Sequence, residues 1–243
     1  MSTLDGRGPD RSPVRGGTRL ALAWPHAFCL QDVIAEYDLG RHAPGVAGRQ
    51  RHMAATLDIV SGGRLELGLG TGWNQEESSA YGIELGTPKE RSDRFEEACE
   101  VITGLLSRES TTFKGSSYEL TGARCNPKPV QRPHPPLCIG GSGEKRTLRT
   151  AARFAQHWNF DSGTVGRFIR ARDVLHQYCA DVRRGPAEIL LSSQVRFSGD
   201  PAATAASAAE LGEAGAELAI VYLPPPCIAA VLEPLATALG RPV

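Results

Sequence analysis

Three stretches of this sequence combine residue types and spacings that could do chemistry. The first is Gly68-Leu69-Gly70-Thr71-Gly72-Trp73-Asn74, which ends the alternating run Arg64 to Gly70. Glycine inside a strand weakens it unless something must come close to the backbone. A flat ring system is one such thing, with Trp73 as a wall and Asn74 as an amide at the mouth. The alternative is a glycine-rich turn in which Trp73 only packs. The second is Ile139-Gly140-Gly141-Ser142-Gly143-Glu144-Lys145, between a short apolar run and a helical pattern. Backbone N–H groups at a helix start bind anions, and glycines let a phosphate approach. Lys145 in a first turn opposes the helix dipole unless an anion is near. The alternative is a plain connection with Ser142 as the N-cap. Arg146 stands where a third glycine would complete GxGxxG.

The third stretch sets Ser192, Gln194 and Arg196 on one face of a strand and Leu191, Val195 and Phe197 on the other. Such a polar stripe faces either a barrel interior or cleft, or solvent at a sheet edge. Asn159 and Asp161 end the preceding strand. In parallel α/β folds ligands gather at that C-terminal edge. No GxSxG, SxxK, Walker A or Cys–His nucleophile signature is present. The six histidines show no HxH or HExxH spacing, so no metal site is expected. The six cysteines form no CxxC pair and read as reduced thiols. With neither nucleophile nor metal, a cofactor must carry the chemistry.

The elements that must position these residues follow from periodicity. Arg64–Gly70, Leu137–Gly141, His157–Phe160, Ile189–Phe197 and Glu217–Leu223 read as strands. Helices are expected up to Val60 from Met53, and over Glu90–Leu106, Glu144–Gln156, Thr164–Val182, Asp200–Gly215 and Ile228–Leu239, the last kinked at Pro234. The arginines of the helices 144–156 and 164–182 read as solvated. Thr111–Leu120 reads as a hairpin around Lys114-Gly115. Strict β-α alternation implies a parallel sheet, either open and doubly wound or closed as a barrel. A length of 243 residues is compatible with the barrel. Residues 1–50 remain unassigned, with 1–18 a disordered arm and a sixth strand near Leu20–Trp24.

Composition narrows the partners. Lys+Arg and Asp+Glu both number 27, so bulk electrostatics draws the chain to neither nucleic acid nor an anionic membrane. No apolar run reaches the length of a membrane span, and the first 18 residues lack a signal-peptide core. A cytoplasmic protein acting on a small-molecule substrate is expected.

Three segments, MAATLDIVSGGRLELGLGTGWNQEE (Met53–Glu77), ERSDRFEEACEVI (Glu90–Ile102) and PKPVQRPHPPLCIGGSGEKRTLRTAARFAQHWNF (Pro127–Phe160), together resemble the bacterial luciferase-like flavin monooxygenase superfamily. The likeness is closest to its deazaflavin (coenzyme F420)-dependent oxidoreductases, and it runs to the C-terminus through ELAIVYLPPP. It implies a (β/α)8 TIM barrel over 51–243 that is incomplete at its N-terminus. The five strands above would be strands four to eight. It implies F420 or FMN as coenzyme. Gly70, Thr71, Gly72 and Asn74 would border the ring, and Gly140, Gly141, Ser142, Gly143 and Lys145 would bind the phosphate. It identifies no catalytic residue.

The family places three βα units ahead of strand four, with an acid or histidine after strand two and a strained backbone after strand three. Residues 1–50 show neither, and Ala23-Trp24-Pro25-His26 only faintly echoes a strand-two end. A truncated, impaired remnant of such an enzyme is therefore the first alternative. A Rossmann-type NAD(P) oxidoreductase with Asp161 on the ribose is the second. An incomplete barrel would leave the strands 64–70 and 217–223 each with an unpaired edge, and a homo-oligomer is expected to cover them.

Overall fold

The computed structural model describes residues 19–23, 33–38, 46–80, 84–161, 163–225 and 229–240, with side chains from Met53 onward except Glu77. Seven parallel strands form the main sheet: β1 (Arg19–Ala23), β2 (Val33–Asp38), β3 (Leu65–Gly70), β6 (Leu137–Gly140), β7 (His157–Phe160), β8 (Leu190–Arg196) and β9 (Leu218–Tyr222). Their order is β1-β9-β8-β7-β6-β3-β2. Beyond β2 the strands follow one another in one direction, and the first strand pairs with the last. That is barrel winding. A Rossmann sheet reverses direction at a switch point, and this order has no reversal, so the dinucleotide-binding alternative falls.

The strand pairing corrects one expectation. β3 is not an edge, because β2 pairs with it from Val33↔Leu65 to Asp38↔Gly70. β9 is not an edge either, because β1 pairs with it from Arg19↔Leu218 to Ala23↔Tyr222. The unpaired edges among the described residues belong to β1 and β2. Residues 1–50 thus supply two strands where the sequence suggested one. With β3 as strand four and β9 as strand eight, β1 takes position one and β2 position three. No strand among the described residues takes position two. Ala23 therefore ends strand one, which removes the echo of a strand-two end. Only residues 24–32 join β1 to β2, fewer than a helical crossover between parallel strands needs.

One face of β3, β6, β7 and β8 packs against the helices. Leu65, Leu67 and Leu69 of β3, Leu137 and Ile139 of β6, Trp158 and Phe160 of β7, and Leu191 and Val195 of β8 join one core. The helices close it with Phe95, Ala98, Cys99, Ile102 and Leu105 of α3 (Pro88–Ser107), Leu148 and Ala151 of α4 (Thr147–Phe154), and Phe168 and Leu175 of α5 (Val165–Asp181). Trp158 stacks on Phe168 at 5.8 Å, and Phe160 meets both edge-on. The opposite strand face is left with Glu66, Gly70, Cys138, Gly140, Asn159, Ser192 and Gln194.

Local sequence explains the helix boundaries. Thr87-Pro88-Lys89-Glu90 is a capping box. Glu90 N–H donates to Thr87 Oγ1 and Thr87 N–H donates to Glu90 Oε2, with Pro88 in the first turn. Asp200 Oδ1 accepts from Ala202 N–H to open α6 (Pro201–Glu213). Three boundaries differ from expectation. α1 (Val46–Ser61) starts seven residues before Met53, directly after Pro44-Gly45. α4 starts at Thr147 rather than 144, because Gly143 O accepts from both Arg146 and Leu148 N–H and residues 144–146 form a turn. Arg146 stands at the N-cap position, without a side-chain capping bond, so Ser142 is not the N-cap. α7 (Leu232–Ala238) starts late enough that Pro234 lies in its first turn, where it causes no kink.

The hairpin is β4 (Thr111–Lys114) with β5 (Glu119–Ala123). It is tied to α3 by Glu97, whose carboxylate accepts N–H bonds from Ser116, Ser117 and Tyr118. The Pro-rich segment is anchored by Gln131. Its backbone and side-chain N–H groups donate to the buried Asp58 of α1, and its amide also reaches Leu65 O at 2.7 Å. No helix among the described residues is long and apolar enough to cross a membrane.

Candidate functional site

Gly70 and Gly140 end β3 and β6 just beyond the paired Leu69 and Ile139, so they stand side by side at the C-terminal edge. A Cβ at either position would meet nothing within 4 Å. The protein's own packing does not demand these glycines, and the space they leave lies on the inner face. Gly140 pairs with Asn159 of β7, which places Asn159 at the same level.

Behind Gly70 the chain turns at Gly72, whose φ is +79°. Thr71 and Asn74 are half-buried there, and Trp73 is 84% exposed. The carbonyl of Asn74 accepts from Ser78 N–H and Oγ–H and so starts the short α2 (Gln75–Ala80).

Behind Gly140 the loop is pinned at Gly141. Its N–H donates to Asn159 O at 3.0 Å, and its carbonyl accepts from Trp158 Nε1 at 2.8 Å. Gly141 has φ +108°, a conformation open to glycine. Gly143 is constrained differently, since a Cβ there would lie 2.8 Å from Thr147 Oγ1. Ser142 is half-buried and Lys145 exposed, in the turn ahead of α4 rather than in its first turn. Residues 143–147 and Pro88, Lys89 and Ser92 of α3 line a groove of about 420 Å³. Its cations are partly engaged: Asp93 accepts from Lys89 Nζ at 2.8 Å and pairs with Arg146. These two bonds, Lys89's first, pull the Asp93 carboxyl down to about 2. Arg149 and Arg153 reach Glu96 of α3, so these arginines clasp two helices rather than only facing solvent.

Deeper on the inner face lies a polar network that crosses four strands. His157 of β7 bonds Glu66 of β3 through Nδ1 and Ser192 Oγ of β8 through Nε2, the latter at 2.6 Å. Asn159 Nδ2 donates to the same Ser192 Oγ at 2.7 Å, and Gln194 Nε2 donates to Asn159 Oδ1 at 3.3 Å. Burial alone would push the His157 imidazole down. Cys138 and the Glu66 carboxylate outweigh it and raise it to about 10. His157 therefore carries both ring protons, one toward Glu66 and one toward Ser192.

Of the polar stripe on β8, Ser192 is buried while Gln194 and Arg196 are exposed, and because β8 lies between β7 and β9 it is not an edge strand. Ser192 and Gln194 join Asn159 in one network. Arg196 stands apart, with its guanidinium 5.8 Å from the Tyr222 ring centre. Sequence reasoning missed Cys138 and His157. They are 19 positions apart yet paired directly across β6 and β7. Only a register between strands could have revealed them, because no local spacing does.

The profile of the luciferase-like monooxygenase family matches residues 39–221. Over 140 residues the chain is 33% identical to the FMNH2-dependent dimethylsulfone monooxygenase of Pseudomonas putida, an alignment covering 58% of this chain and 37% of that protein. The protein of the same name from Pseudomonas fluorescens is 31% identical over 156 residues, covering 63% and 41%. The chain therefore matches well under half the length of these relatives. Among solved structures, an F420-dependent secondary alcohol dehydrogenase in complex with an F420-acetone adduct superposes with a TM-score of 0.67 at 16% identity, covering 78% of this chain and 75% of that one. The coenzyme F420-dependent tetrahydromethanopterin reductase of Methanopyrus kandleri gives 0.64 at 16%, covering 79% and 76%. At that identity the likeness is one of fold, and it agrees with the strand order. With three-quarters of the chain inside the family match, this protein belongs to the luciferase-like monooxygenase family.

Proposed function

We propose that the chain is an oxidoreductase that holds a reduced flavin-type coenzyme, FMN or F420, at the C-terminal edge of its sheet and acts on a small organic substrate. The observation that carries this reading is the unfilled space beside Gly70 and Gly140, which side chains would otherwise occupy. A planar ring fits space that has no packing purpose. In this reading Gly70, Thr71, Gly72 and Asn74 border the ring. Gly140, Gly141, Ser142 and Gly143 present backbone to the coenzyme's phosphate, and Lys145 supplies a cation beside it. Asn159 and Gln194 offer amides to the same cavity. Bound there, reduced FMN would supply oxygen activation and reduced F420 hydride transfer. The FMNH2 dependence of the Pseudomonas relatives supports the first, and the F420 dependence of the structural neighbours supports the second.

Equilibrium titration of the folded protein with each coenzyme tests the proposal. Saturable binding of one of them is expected, and no binding of either by a cooperatively melting protein overturns it. An oxygen-electrode trace with reduced FMN then separates the two chemistries. A second reading, an impaired remnant, is favoured by there being no strand at position two among the described residues. It predicts coenzyme binding without turnover.

A further inference from the structure

Glu66, Cys138 and His157 come from three neighbouring strands and bring a carboxylate oxygen, a thiol sulfur and an imidazole nitrogen within 4.8 Å of one another. These are the three donor types that borderline-soft divalent metals take. Cys138 and His157 face each other across β6 and β7, and Glu66 stands two residues before Gly68, the partner of Cys138 on β3. The cluster lies in the lower half of the strands, below the glycines at the coenzyme edge. His157 is buried, whereas Glu66 and Cys138 are half-buried, so water can reach the cluster.

We propose that these three residues form a binding site for one divalent transition metal of the zinc class, separate from the coenzyme site and independent of the coenzyme reading. Bonds of about 2.0–2.3 Å to a tetrahedral zinc separate its ligand atoms by about 3.3–3.8 Å. The observed spread needs a shift of about 1 Å to meet that. The His157–Glu66 hydrogen bond opens as the metal enters between its partners. Coordination by sulfur displaces the thiol proton and coordination by His157 displaces its Nδ1 proton, both passing to water, and a water molecule takes the fourth position. The other ring nitrogen of His157 is already oriented by Ser192 Oγ, itself held by Asn159. Ligating histidines are fixed in this way by a second hydrogen bond. The metal would tie β3, β6 and β7 together beneath the coenzyme. Motif spacing gives no sign of the site, since its ligands are 72 and 19 positions apart and come together only through strand register.

The test uses the whole chain, stripped of metal with a chelator and dialysed. Zn2+ affinity is measured by competition with a chromophoric chelator, and Co2+ is loaded for absorption spectroscopy. The expected result is one Zn2+ per chain, a higher melting temperature with metal, and a cobalt spectrum with a sulfur-to-metal charge-transfer band. Cys138→Ala abolishes that band, and His157→Gln weakens Zn2+ binding by more than about a hundredfold. Ser192→Ala, which keeps all three ligands, weakens it about 10–100-fold while keeping the band. The proposal is overturned if folded wild-type protein takes up no Zn2+. It is equally overturned if the cobalt form lacks the sulfur band, or if Cys138→Ala and His157→Gln bind as wild type does. The wild-type cobalt spectrum decides even if a variant fails to fold.

Discussion

Gly140 and Gly143 are three residues apart and respond oppositely to a side chain. At Gly140 a Cβ meets open space, so Gly140→Val leaves the melting temperature near wild type while filling the proposed ring site. Coenzyme affinity should fall at least tenfold, about 1.4 kcal/mol. At Gly143 the Thr147 hydroxyl is in the way, so Gly143→Asp should lower stability and binding together. Calorimetry and a coenzyme titration on both variants check the contrast, and equal thermal loss at Gly140 would make that glycine structural. The network below behaves as a unit. Ser192→Ala removes the acceptor shared by His157 and Asn159 and leaves two buried donors unpaired. Denaturant unfolding should show a loss of about 1–3 kcal/mol. Ser192 was legible as part of a polar stripe and Asn159 as a polar strand end, because polar residues at alternate positions of an apolar strand need a reason, but sequence left the stripe open between a barrel interior and a solvated edge. Cys138 and His157 were not legible, because each sits singly in an apolar segment and gains meaning only from its neighbour across the sheet.

At the scale of elements, α3 and α4 are clasped by charge. Asp93 bonds Lys89 and Arg146, and Glu96 bonds Arg149 and Arg153. The Asp93 carboxyl falls from an ordinary 3.8 to about 2 in the folded chain. A depressed carboxyl stabilises the fold above its unfolded value and loses that contribution as pH falls through the folded one. Thermal melts should therefore show a wild-type advantage over Asp93→Asn at neutral pH. That advantage should shrink between pH 3.8 and 2. A constant difference across the window would remove Asp93 from the clasp. The strong elements were readable for local reasons: alternation in Leu65–Leu69, the apolar stripe from Phe95 to Leu105, and Asp200-Pro201 as a helix start. β2 was not. Its sequence Val-Ile-Ala-Glu-Tyr-Asp carries Ala, Glu and Asp, residues poor in strands, and pairing with β3 overrides that preference. The start of α4 was misjudged because residues 144–146 continue the helical pattern while Gly143 turns them into a separate loop.

Across the whole molecule, the sheet winds as a barrel whose ends are β1 and β2. Parallel strands with free edges recruit other chains. Sedimentation velocity over a range of concentrations should show self-association through these edges. A single monomeric species at every concentration would mean that the edges are covered within the chain. The core also carries a feature with an optical consequence. Trp158 is fully buried in an aromatic stack, and its indole N–H is bonded to Gly141 O. Trp73 stands out in water at the other glycine segment. The two indoles should emit at different wavelengths, the first blue and shielded, the second red and open to quenching by iodide. In a Trp24→Phe, Trp73→Phe background, the remaining emission comes from a fluorophore wired to the backbone of the proposed phosphate loop. Its intensity should change when inorganic phosphate is added and stay fixed with chloride at equal ionic strength. The protein thus contains its own spectroscopic gauge of whether that loop takes an anion, readable without any coenzyme.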